Sequence, residues 1–232
     1  MFDTPSRTCP ACGIDLGYMW PDRCPCGLEL PQYRRIKHGS DDDPEVFEAA
    51  ELDAPDWEMI PVESAASETL AGGFVRGETW LVHGPGGSGK SRLLLRWASR
   101  APALVVSLEM APEVCVHSAR TSRADLRHLR IVTTPDWRRH VGRRRVVVFD
   151  SLTETDDPIS ALGELREWAQ SESGLVLAIC QETTEGEPRG GPRLVHNCDA
   201  RARITRFAER QAQVEVLKRR MAAPGTSCVV SL

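Results

Sequence analysis

The sequence predicts an α/β domain with a mainly parallel central sheet, on three observations. From Ile60 onward, short β-rich apolar runs alternate with helical segments, the pattern of strands joined by crossover helices. A glycine-rich stretch, HGPGGSGKS, lies between one such run and a helical one, where a loop can offer backbone N–H groups to an anion. The chain has 232 residues, enough for one sizeable core and a small accessory module.

Taken in order, residues 1–38 are rich in Pro and Cys and carry no periodic apolar pattern. A segment this short cannot build its own core, so a staple is expected. Cys9-x-x-Cys12, eleven intervening residues and Cys24-x-Cys26 predict a Zn²⁺ site with four thiolate ligands in a zinc-ribbon-like module. The second pair is one residue tighter than the usual knuckle. Disulfide pairing is one alternative, and His38 as a substitute ligand is another. Met1-Phe2-Asp3-Thr4-Pro5 has neither a basic nor an apolar signal region. No apolar run approaches the ~20 residues that span a bilayer. A cytoplasmic protein without a membrane partner is expected, and in that compartment paired cysteines more often hold metal than each other. Cys115, Cys180, Cys198 and Cys228 occur singly; Cys180 and Cys228 read as small buried hydrophobes.

Residues 39–58 hold nine acidic residues and no Lys or Arg, which predicts a solvated linker. Residues 59–232 form the third segment. Strands are expected at 79–83, 103–108, 129–132, 145–150 and 174–180, with helices beginning near Gly89, Pro112, Pro135 and Pro158. After Pro192, alternation at 203–207 and 213–217, followed by residues 227–232, predicts closely spaced antiparallel strands at the end of the sheet.

The chemistry centres on Gly84-Pro85-Gly86-Gly87-Ser88-Gly89-Lys90-Ser91, which fits G-x-x-x-x-G-K-[ST]. Apolar Trp80-Leu81-Val82 precedes it and a helical segment follows, the context that makes this motif a nucleoside triphosphate site. Glycines let the backbone wrap the phosphates, Lys90 would contact the β/γ-phosphates, and the Ser91 hydroxyl would ligate Mg²⁺. Four apolar residues ending in Asp150 place a carboxylate at the carboxyl end of a parallel strand, where it can hold the Mg²⁺ hydration shell.

Between these motifs, Ser107-Leu108-Glu109-Met110 resembles the replicative helicase ATPases of DnaB type. The likeness implies a RecA-like P-loop NTPase core that binds ATP, with Glu109 activating the attacking water. The order of parts is similar to RadA/Sms, the bacterial recombination ATPase: a four-Cys module, a connector, then Gly72-Gly73-Phe74-Val75-Arg76-Gly77 ahead of the phosphate loop. Gly190-Gly191-Pro192-Arg193-Leu194-Val195-His196-Asn197-Cys198-Asp199 resembles a further RadA block. This family likeness reinforces zinc in the module and implies that the module serves DNA or partner contacts. Gln181 stands where the DnaB-type ATPases carry a Gln that senses the γ-phosphate, and the polar loop after it is expected to face DNA. Lys218 and Arg220 keep the Lys-x-Arg spacing of the RadA and DnaB motif near the end of the core, although the Asn, Phe and Gly of the RadA form are absent. Both cations would act in trans on a phosphate held by a neighbouring subunit. RadA continues into a protease-like ring domain and DnaB helicases begin with a helical collar. Neither is in this sequence, so assembly into a hexameric ring or filament is expected from the core itself.

The net charge of −4 argues against wholesale electrostatic binding to nucleic acid, but charge is unevenly spread. Residues 120–145 carry nine Arg against Asp125 and Asp136. Such a patch fits phosphate contacts, with a solvated surface or a subunit contact as alternatives. Were the segment helical, Arg123, Arg127 and Arg130 would share a face. The sequence therefore points to a DNA-dependent ATPase acting on single-stranded or branched DNA in recombination and repair. The alternatives are an ATP-gated assembly or signalling module that does not touch DNA, and a phage or mobile-element helicase factor.

Overall fold

The computed structural model describes residues 58–220 and 225–232, all within one compact unit that runs from Asp56 to Leu232. Cys9, Cys12, Cys24, Cys26 and His38, and all but the last residue of the predicted linker, lie outside the described residues. The unit opens with β1 (Met59–Pro61), the short helix α1 (Ser64–Ser67) and β2 (Gly73–Val75). β1 and β2 pair antiparallel into a small ribbon ahead of the main sheet.

The core follows as β3 (Thr79–Gly84), α2 (Lys90–Ala98), β4 (Ala103–Ser107), α3 (Pro112–Thr121), β5 (Leu129–Val132), α4 (Arg138–Val141), β6 (Val146–Asp150), α5 (Pro158–Ser171), β7 (Leu175–Gln181), α6 (Gly191–His196), β8 (Ala200–Ala208), β9 (Gln211–Arg219) and β10 (Thr226–Ser231). Among the described residues, eight strands form one sheet in the order β10-β9-β8-β3-β7-β6-β4-β5. The block from β8 to β5 is parallel, and β9 and β10 extend it antiparallel.

Alternation along each strand divides the apolar residues between two layers. Trp80, Val82, Val105, Val146 and Val148 pack with α2 and α3, through Leu93, Leu94, Trp97, Cys115 and Ala119. Leu81, Leu104, Val106, Val147 and Phe149 pack on the other face with Trp137, Leu162, Leu165, Trp168 and Leu194 of the α4 to α6 side. A parallel strand covered on both faces must be apolar at every position, because successive side chains point to opposite sides. This explains the unbroken runs Val146-Val147-Val148-Phe149 and Leu175-Val176-Leu177-Ala178-Ile179.

Every strand expected in the core is found, within three residues at its ends. The helix expected near Pro135 is a single turn, and residues 126–128 form a 3₁₀ turn. Arg123, Arg127 and Arg130 consequently share no helix face: Arg123 has φ +63 just after α3, Arg127 lies in the 3₁₀ turn and Arg130 lies on β5. The β1–β2 ribbon, α1 and α6 are additions that apolar periodicity did not mark, each being six residues or fewer.

The ribbon is tied to the sheet by a buried ion pair. Arg219 donates Nη1 to Leu70 O at 2.6 Å, Nη2 to Gly73 O at 3.0 Å, and both Nε and Nη2 to the Glu78 carboxylate at 3.3 Å. Its guanidinium also lies 5.0 Å from the Trp80 ring centroid, and Glu78 accepts from Trp80 Nε1 at 2.9 Å. Arg219→Ala strands a buried carboxylate and two carbonyls, so a loss of about 3–5 kcal/mol in unfolding free energy is expected by urea denaturation; a loss under about 1 kcal/mol would contradict this role.

Candidate functional site

The parallel strands bring their carboxyl ends to one edge. Gly84 of β3 pairs with Gln181 of β7, and Ser107 of β4 pairs with Asp150 of β6. Residues that follow these positions face a shared crevice, where open α/β sheets hold ligands. The phosphate-loop residues, Glu109, Asp150 and Gln181 all fall there.

Gly84 passes so close to β8 that a Cβ on it would lie 2.0 Å from Ile204 O, with φ at +154. No other residue fits. The loop turns through Gly87 and Gly89, both left-handed, and α2 starts at Lys90. Its first N–H groups and dipole therefore face the loop interior. Lys90 is buried and donates Nζ to Gly84 O at 2.8 Å and Pro85 O at 2.9 Å. Burial lowers its pKa, while Asp150 and Glu109 act to raise it. Ser88 Oγ is buried without a hydrogen-bond partner.

Asp150 is buried at the end of β6, and its peptide bond to Ser151 is cis. Burial first, then the charge of Glu109, pushes its carboxyl up to about 6, against the opposing Ser91 hydrogen bond and Lys90. Asp150 Oδ1 has no hydrogen-bond partner. An orphaned carboxylate oxygen beside a serine hydroxyl is a donor set that suits Mg²⁺, which takes few protein ligands and keeps several waters. Ser91 and Asp150 thus fit the metal expected of them.

Glu109 is exposed at the crevice rim. Its N–H and that of Leu108 both donate to Asp150 O, at 3.3 and 2.6 Å, which fixes the strand end to β6. Gln181 donates Nε2 to Glu109 Oε1 at 3.5 Å, and its N–H donates to Thr153 Oγ1 at 3.3 Å. The segment after Gln181 is a tight hairpin with Glu182 bridged to Pro188, and Gly191 and Pro192 open α6.

Lys218 and Arg220 lie elsewhere. β9 pairs Lys218 with Arg201 and Arg219 with Ala200, and Ala200 pairs with Trp80 near the amino end of β3. Lys218 donates Nζ to Val195 O at 3.1 Å, in the last turn of α6, and to Cys198 O at 2.5 Å, just past it. Arg220 is 3.7 Å from Asp199. Both cations turn toward one segment but sit at the sheet end opposite their own phosphate loop.

Sequence reasoning missed two features of the crevice. Arg206, at the β8–β9 hairpin, donates Nη2 to Gly87 O at 3.0 Å and Nη1 to Glu209 O at 2.6 Å, clasping the phosphate loop; its sequence neighbours give no sign of this. Behind Gly84, His83 is fully buried. Its Nε2 accepts from Arg201 Nε at 3.0 Å, and Nδ1 lies 3.5 Å from Glu182. Glu182 in turn accepts two bonds from Arg203, each 3.0 Å. The strand before the phosphate loop is thereby linked to the segment after Gln181. The His83-Gly84 juncture in a parallel strand was the available signal, since a histidine there must be buried. Cys115 and Cys180, also buried, have thiols pushed up to about 11 by burial, which keeps them protonated. Among the described residues no helix is long and apolar enough to cross a membrane, and no group of His, Cys, Asp and Glu is assembled to hold a metal by side chains of that kind alone.

No family model matches this chain. No curated protein matches it. Among solved structures, the crystal structure of the RadB recombinase is similar, with a TM-score of 0.57 and 22% identity over 72% of this chain and 93% of that one. The likeness is one of fold: the α/β unit shares the architecture of that structure.

His83 supplies a test of the crevice electrostatics. Burial and Arg201 lower its pKa from 6.5 to about 4, so the folded imidazole stays neutral while the unfolded one takes a proton. Stability from this group is present above about pH 6.5 and is lost as pH falls toward 4. His83→Gln keeps an acceptor for Arg201, and thermal melts should show a shallower acid loss between pH 6.5 and 4 than the parent chain. Identical pH profiles would contradict the neutral buried imidazole.

Proposed function

We propose that this chain is a Mg²⁺-dependent ATPase with a RecA-like core that acts on single-stranded or branched DNA in recombination or repair, as its likeness to RadA/Sms implies. The observation that carries the reading is the meeting of Gln181 with Glu109 at 3.5 Å beside Lys90 and the Asp150–Ser91 pair. A phosphate cradle alone binds; a free carboxylate across from it can take a proton from water, which makes the site hydrolytic. The similarity in fold to the RadB recombinase supports the same reading.

In this scheme the loop 84–91 wraps the phosphates through its N–H groups. Lys90 exchanges the Gly84 and Pro85 carbonyls for β/γ-phosphate oxygens, a trade of neutral acceptors for charged ones. Ser91 and Asp150 would hold Mg²⁺, which would supply positive charge against the developing negative charge of the phosphates. Glu109 orients the attacking water and accepts its proton. Gln181, hydrogen-bonded to Glu109, reports the state of the terminal phosphate to residues 182–188. A homo-oligomer, ring or filament, would let Lys218 and Arg220 of one subunit reach the phosphate of the next, and this requires them to leave Val195, Cys198 and Asp199. For Cys9, Cys12, Cys24 and Cys26 we propose Zn²⁺, on their spacing and the family likeness.

The test is ATP turnover of the purified chain with Mg²⁺, with and without single-stranded DNA. Turnover should require Mg²⁺ and rise with DNA. Glu109→Gln should bind ATP as tightly as the parent while kcat falls by about 10²–10⁴-fold. Normal turnover in that variant would remove Glu109 as the base. Turnover that DNA leaves unchanged, in a chain without salt-sensitive DNA binding, would instead favour an ATP-gated assembly module.

A further inference from the structure

The arginines of residues 120–145 do not form one helix face, but the fold gathers most of them, with Arg100, at one end of the sheet. Ala103 pairs with Leu129 and with Val146, and Leu104 pairs with Arg130. Arg100, Arg130, Arg143 and Arg144 consequently meet at the amino ends of β4, β5 and β6. The turn after α3 is docked on the same corner: Asp125 N–H donates to Ser99 Oγ at 3.0 Å, and His128 Nδ1 lies 2.7 Å from Ser99 O. This brings Arg120 and Arg123 to the same end. The strand length puts the corner roughly 15 Å from the nucleotide crevice at the carboxyl ends.

Pairing separates the working arginines from the structural ones. Arg127 is bound to Asp125 through two nitrogens, Arg138 to Glu167, Arg139 to Asp136 and Arg145 to Glu172. Among the described residues, the side chains of Arg100, Arg120, Arg123, Arg130, Arg143 and Arg144 have no hydrogen-bond or carboxylate partner, and all but half-buried Arg144 are exposed. Arg144 Nε is buried without a partner, and the neighbouring charge of Arg130 adds to the burial that disfavours its charged form. Like charges left side by side without neutralisation on a chain of net charge −4 mark a surface that gains from a polyanion.

We infer that this corner of the sheet, at the amino ends of β4, β5 and β6, is a docking surface for the phosphate backbone of DNA, remote from the nucleotide crevice. Planar guanidiniums match phosphate oxygens through paired N–H donors, and several such contacts in a row follow a strand without reading its bases. The inference rests on the DNA-acting reading and gives it a location. It assigns binding to a surface that hydrolysis does not use, so DNA can be held through the whole ATP cycle.

The experiment is fluorescence anisotropy of labelled single-stranded and duplex oligonucleotides with the full chain, without nucleotide, across 50–300 mM salt. The variant carries Arg100→Gln, Arg130→Gln and Arg143→Gln, three exposed and unpartnered positions, with an unchanged thermal melt as the check on folding. The slope of log K against log salt should become shallower by about 0.7–0.9 for each arginine that contacts phosphate. DNA-independent ATP turnover should equal that of the parent. An unchanged slope and affinity would overturn the proposal. So would a parent chain that ignores both oligonucleotides at 50 mM salt but binds a peptide of residues 39–58, which would make the corner a dock for acidic protein. A parent chain without turnover would refute the ATPase reading and leave the binding result intact.

Discussion

The parallel block is covered on both faces, and this constraint organises everything else. Interior positions of β3, β4, β6 and β7 are almost all apolar and buried. A charged group there would be stripped of water without compensation. Functional polarity is pushed to the strand ends, and because the strands are parallel, those ends coincide. Lys90, Asp150, Glu109 and Gln181 come from four separate stretches of chain, yet they meet at one edge as a direct result of the register between β3 and β7 and between β4 and β6.

Two polar side chains buried in the sheet, His83 and Arg219, each join parts of the chain that are distant in sequence. His83 interrupts β3 and is flanked by Arg201 and Glu182. Arg219 interrupts β9 and is saturated by Glu78 and two carbonyls. The first network lies directly under the phosphate loop and reaches the segment after Gln181. A displacement of that loop by nucleotide would be felt at Glu182 through buried contacts, where rearrangement is costly and therefore discrete. The second fastens the β1–β2 ribbon to the far end of the sheet and has no such connection.

Most of the core was legible in the sequence. Unbroken apolar runs such as Val146-Val147-Val148-Phe149 have one plausible home in an α/β domain, and proline near the starts of α3 and α5 fixed their boundaries. The placement of residues 84–91, Asp150 and Glu109 at strand ends on one edge was legible, because each follows an apolar run in the sequence. Three things were not. A shared helix face for Arg123, Arg127 and Arg130 was conditional on a helical segment, because spacing of three and four has that meaning only inside a helix, and a 3₁₀ turn and an edge strand occupy the segment instead. Arg206 gave no signal, since its contact with Gly87 depends on how the β8–β9 hairpin folds back. The intramolecular hold on Lys218 was hidden for the same reason: Val195 and Cys198 reach it only after α6 has formed.

On the proposed function, the loop 84–91 is a phosphate cradle in which Lys90 waits on surrogate acceptors. The most direct measurement is a crystal structure of the chain with Mg²⁺ and a non-hydrolysable ATP analogue. Lys90 Nζ should be released from Gly84 O and Pro85 O and bound to phosphate oxygens, with the metal on Ser91 and beside Asp150. An analogue bound elsewhere, or bound here with Lys90 still on its two carbonyls, would contradict it.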